Sequence, residues 1–91
     1  MQLRWTTEAV TDLERIADYL LQHAPERAAE LVRTVYQTPA LLLEYPHRGR
    51  PGKKDGTREL VLASLPYLIV YTVRGDGVFV VRILHGAQQW P

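Results

Sequence analysis

The chain follows two different hydrophobic periods, and they meet at one basic loop. From residue 7 to residue 44 apolar residues recur every three or four positions, the period of a helix face. From 58 to 84 they follow the strand period of two. Between them, residues 46–56 (PHRGRPGKKDG) hold five glycines and prolines and four Lys/Arg, which suits a loop. Helices first and strands afterwards exclude the strand-helix alternation of a parallel α/β fold. They imply a segregated α+β domain.

Leu3-Arg4-Trp5 reads as a short first strand. Thr6 or Thr7 can cap the helix that follows, with Glu8 in its first turn, where the helix dipole favours an anion. Ala9, Val10, Leu13, Ile16, Ala17, Leu20 and Leu21 form its apolar face; Asp12, Glu14, Arg15, Asp18 and Gln22 form the other. Pro25 suits the first turn of a second helix, whose apolar face is Ala28, Ala29, Val32, Val35 and Tyr36. Pro39 either kinks or ends that helix, with residues 40–44 as a last helical turn. Arg58 to Ala63, Tyr67 to Arg74 and Val78 to Leu84 are three strands. A Ser64-Leu65-Pro66 turn joins the first pair and a Gly75-Asp76-Gly77 hairpin the second. The order β-α-α-β-β-β gives one domain over residues 1–91, a helical hairpin on one face of a small, mostly antiparallel sheet. Leu13, Ile16, Leu20, Val32, Val35, Ile69, Tyr71, Val81 and Ile83 are the expected core. Tyr67 and Phe79 are read as core as well.

Several chemistries are excluded. Without cysteine there is neither a disulfide framework nor a thiolate nucleophile. His23, His47 and His85 lie in separate elements without metal-ligand spacing, so no metal or other cofactor is expected. Gly49, Gly52 and Gly56 enter no helix and make no phosphate cradle. Ser64 has nothing local to activate it and is read as a turn residue. The longest uncharged apolar stretch, residues 60–73, is too short for a bilayer, and no signal peptide is visible. A cytoplasmic protein with no membrane or small-molecule partner is expected.

Charge is distributed unevenly. Residues 1–46 balance at −3 and residues 47–91 at +4, so the second half presents a positive field suited to an acidic partner or to nucleic acid. Its candidate binding residues are Arg48, Arg50, Lys53, Lys54, Arg58 and Arg82. Arg82 stands within the apolar strand VFVVRIL, where an isolated buried charge is prohibitively costly. It must face the open side of the sheet or be paired.

Taken together, Ala9…Asp12-Leu13…Ile16…Tyr19-Leu20, Pro25…Ala28, Pro46…Gly49-Arg50, Arg58-Glu59-Leu60, Tyr67-Leu68-Ile69-Val70-Tyr71 and Ile83-Leu84-His85-Gly86…Trp90 resemble, in order, the signatures of the RelE/ParE superfamily. These are toxins of bacterial type II toxin–antitoxin systems. The resemblance implies growth inhibition, a role in plasmid stabilization and a cognate antitoxin as partner. One branch cleaves mRNA on the ribosome, and its site would here be Arg58, Arg82 and His85. That branch commonly carries an arginine where this chain has Leu68, and a basic tail ending in tyrosine where it has Gln88-Gln89-Trp90. Neither amide nor indole is a useful acid or base near neutral pH. The resemblance is therefore nearer to ParE, a non-catalytic inhibitor of DNA gyrase, with Trp90 as an apolar anchor for target or antitoxin. A non-toxic interaction domain is the third alternative.

Overall fold

A computed structural model describes residues 1–91. Its elements are β1 (Gln2–Trp5), α1 (Thr7–His23), α2 (Ala28–Gln37), a 3₁₀-helix (Thr38–Leu43), β2 (Arg50–Pro51), β3 (Arg58–Val61), β4 (Tyr67–Arg74) and β5 (Gly77–His85). The five strands form one sheet in the order β1-β5-β4-β3-β2. Only the β1–β5 pair is parallel. The α+β expectation holds, with two additions. The loop contributes the two-residue strand β2, and β1 lies beside the last strand of the chain.

Thr6 caps α1: its hydroxyl accepts the Ala9 N–H at 3.1 Å and donates to the Val81 carbonyl at 2.8 Å. Pro25 lies in the turn between the helices, and α2 starts three residues later than expected. Pro39 ends the α-helix at Gln37, having no N–H to give the carbonyl one turn back, and the chain tightens into the 3₁₀-helix. At the β4–β5 hairpin only Gly75 has a positive φ, +53°.

Helices and sheet enclose a core that includes Ala9, Ile16, Leu20, Val35, Leu42, Ile69, Tyr71, Val80 and Ile83, with Leu13 and Val32 half-buried against it. Val81 is a correction. The β4–β5 register passes from Val70↔Arg82 to Tyr71↔Val80 and leaves Val81 unpaired, a β-bulge. The extra residue reverses the alternation, so Val80 and Ile83 both face the helices while Val81 is only half-buried. Phe79 is likewise half-buried, on the opposite face from its neighbours Val78 and Val80. Val10, Leu21 and Tyr36 are exposed, so the apolar stripe of each helix is narrower than its sequence pattern.

Candidate functional site

The basic loop is held to the sheet by one hydrogen-bond network. Tyr71, fully buried, stands opposite Arg58 in the β3–β4 register. Its hydroxyl accepts the Gly49 N–H at 2.9 Å and donates to the Pro46 carbonyl at 2.8 Å. A Cβ at position 49 would lie 2.7 Å from that hydroxyl and 2.8 Å from the Glu59 carbonyl, so only glycine permits this approach. Arg58 donates to the carbonyls of Gly49 (2.7 Å) and His47 (3.3 Å). Arg50 pairs with the buried Glu59 at 3.0 Å. The motif residues around Pro46–Gly49–Arg50, Arg58–Glu59 and Tyr71 are therefore one structural clamp. Arg48 and Lys53 are left exposed and without an ion pair, and Lys54 places its ammonium 5.8 Å from the centre of the Trp90 ring.

Arg82 is paired. Its Nε and an Nη donate to the two oxygens of Asp12 at 2.7 and 3.0 Å, a bidentate contact. The hydrogen bond to Asp12, above all, raises the guanidinium pKa; burial opposes it, and the charges of Asp12 and Glu8 add to it. The same Asp12 carboxylate accepts the Ile83 N–H at 2.9 Å. β1 pairs β5 only as far as Val80, and beyond that point the β5 edge would be open. Thr6 and Asp12 cover it with side chains, satisfying Val81 and Ile83 in turn. Gln88 continues the cover, its Oε1 accepting the His85 N–H at 2.7 Å.

Asp12, expected on the polar face of α1, is buried. Its spacing was the available signal: it falls three residues after Ala9 and four before Ile16, on the buried stripe. One acid on that stripe and one arginine in an apolar strand point to each other. Glu59 and the Tyr71 hydroxyl had no such signal, because their partners lie in the irregular loop.

His85 turns the chain out of β5. Its Nδ1 accepts the Ala87 N–H at 3.2 Å, and its ring meets Tyr67 edge-on with centroids 6.0 Å apart. Trp90, half-buried, lines a cavity of about 350 Å³ together with Lys54, Thr72, Phe79 and Val81, on the sheet face away from the helices. The three candidate nuclease groups do not converge. Arg58 pairs with Tyr71 and His85 with Tyr67, four positions apart along β4 and on opposite sides of it. That is roughly 13 Å along the strand and about 10 Å across. Arg58 reaches toward the loop edge of the sheet, and Arg82 toward α1 at the other edge. No group of His, Asp and Glu is placed to hold a metal ion.

The family model described as ParE toxin of type II toxin-antitoxin system, parDE, matches residues 3–90. The toxin-named protein Y4kP of Sinorhizobium fredii is 41% identical over 90 residues, spanning 99% of this chain and 93% of its own. Toxin RelE2 of Caulobacter vibrioides is 39% identical over 87 residues, spanning 96% and 97%. Among solved structures, a chain of the chromosomal ParDE TA system from P. aeruginosa superposes with a TM-score of 0.86 at 30% identity, over 93% of this chain and 95% of that one.

Proposed function

The chain belongs to the ParE toxin family of type II toxin–antitoxin systems, and from that premise we propose that it inhibits growth by binding DNA gyrase rather than by cutting RNA. The observation that carries this reading is the placement of Arg58, Arg82 and His85. A ribonuclease needs cations and a proton-transfer group converging on one phosphodiester. Here each is bound to a different part of the fold: loop carbonyls, a buried carboxylate and a backbone amide. A binder has no such requirement. Exposed Arg48 and Lys53, with Lys54 against Trp90, offer cations beside an aromatic surface for an acidic partner.

A cognate antitoxin neutralises the protein by occupying this surface, in keeping with the ParDE system that the P. aeruginosa structure represents. Both partners meet it in the cytoplasm; no helix is long and apolar enough to cross a membrane. The relative named RelE2 favours the second reading, an mRNA endonuclease.

The two readings separate when the chain is induced without an antitoxin. Gyrase inhibition raises the DNA-damage response before translation falls, and His85→Gln stays toxic. Translation stopping first, with a folded but inert His85→Gln, would establish the nuclease instead.

A further inference from the structure

At the far end of the sheet from the basic loop, α1 and the β4/β5 strand ends border a second cavity of about 350 Å³, open to solvent. Arg15, Ile16, Tyr19, Tyr67, His85 and Gln88 line it. Its polar groups are alike in one respect: each has at least one hydrogen-bond donor free. Gln88 uses its Oε1 to accept the His85 N–H, which leaves its amide N–H groups free. His85 uses Nδ1 to accept the Ala87 N–H, so the ring proton of the neutral imidazole sits on Nε2. Arg15 has no salt-bridge partner. The Tyr19 and Tyr67 hydroxyls make no hydrogen bond within the protein, and neither is sealed from solvent. Tyr19 is braced by the His23 ring, stacked on it at 4.1 Å, while His23 Nδ1 lies 2.9 Å from the Tyr19 carbonyl. No acidic residue lines the cavity.

We propose that this cavity binds a carboxylate carried on a short apolar stem and presented by a peptide. A single guanidinium matches a monoanion, which it can hold bidentately while tyrosine, imidazole and amide donors take the remaining lone pairs. A dianionic phosphate would meet one formal charge where it needs more. The volume exceeds that of a carboxylate alone, and the Ile16 side chain with the two tyrosine rings provides an apolar wall for the stem. The site is separate from the Arg48–Lys54 surface and does not depend on whether the toxin's target is gyrase or the ribosome.

The test is an NMR titration of the full chain with four probes. These are acetyl-Ala-Leu with a free C-terminus, acetyl-Glu-Leu-amide with only a side-chain carboxylate, acetyl-Ala-Leu-amide with neither, and phenyl phosphate. The expected result is saturable shifts of the Gln88 side-chain amide, the Arg15 Nε–H and the His85 ring with at least one carboxylate probe. Whichever of the two binds identifies the source of the carboxylate. Arg15→Gln, at an exposed position, should weaken that binding about tenfold or more, and Tyr67→Phe should weaken it less. Four outcomes would each overturn the proposal: no saturation by either carboxylate up to about 10 mM, weak even for a fragment; equal binding of the uncharged amide; preferential binding of phenyl phosphate; or unchanged affinity in Arg15→Gln.

Discussion

Replacing Asp12 with asparagine tests whether Arg82 is a structural residue. Asparagine keeps the shape but loses the charge and one of the two acceptor oxygens. It turns an NH₂ toward either the guanidinium or the Ile83 N–H, both of which are donors. Removing one partner of a buried ion pair costs about 3–5 kcal/mol, because the other charge stays behind unpaired. The Arg82 side chain is 23% exposed, so water can take over part of its solvation. The expected loss is therefore about 2–4 kcal/mol. A domain of this size has about 5–15 kcal/mol in total. The midpoint of thermal unfolding should fall by roughly 10–25 °C. Urea unfolding followed by tryptophan fluorescence is a suitable assay, since Trp5 stacks on Tyr36 at 5.7 Å and reports the packing of β1 on α2. Asp12→Leu combined with Arg82→Met should recover most of the loss, leaving about 1 kcal/mol for the unmatched Ile83 N–H. A cost below about 0.5 kcal/mol for Asp12→Asn, or simple additivity in the double-mutant cycle, would refute the pairing argument. Arg82 would then be available for another role.

Two further outcomes are expected. Tyr71→Phe should cost about 1–3 kcal/mol, because the Gly49 N–H loses its acceptor, and the 46–50 backbone should gain faster amide exchange than the helices. Stability should also fall as pH rises above 10. Burial, with a smaller contribution from the Tyr19 charge, raises the Tyr67 pKa above its ordinary value of 10.0. In the window between the unfolded and folded values the unfolded chain loses the proton first, so rising pH favours unfolding. Subtracting the profile of Tyr67→Phe from that of the parent isolates this slope. Parallel profiles across that window would show that Tyr67 does not contribute.

Local order was legible in the sequence wherever it depends on neighbouring residues. The Ala9-Ile16-Leu20 spacing makes α1 helical whatever it packs on, and Gly75-Asp76 closes the β4–β5 hairpin over two residues. The switch from one hydrophobic period to the other already specified helices on one side and a sheet on the other. Family motifs were likewise visible in order along the chain. What those motifs do was not. The clamp joins Gly49 to Tyr71 and Arg58, in segments separated by nine to 22 residues, and Asp12 meets Arg82 across 70. Such contacts follow from where the chain returns, which no local period encodes. The bulge at Val81 adds one residue to one strand and so separates Val81 from Ile83, which were expected on one face: Ile83 stays in the core and Val81 leaves it. Composition, for the same reason, counts a cation without its partner: Arg50, Arg58 and Arg82 add to the positive half of the sequence, while the folded protein directs them to Glu59, to loop carbonyls and to Asp12. Residue order alone already specifies a helical hairpin, a meander and a supply of positive charge. Which of those charges remain free to bind depends on contacts between distant segments, because an acceptor is brought within reach of a cation only when the chain folds back on itself.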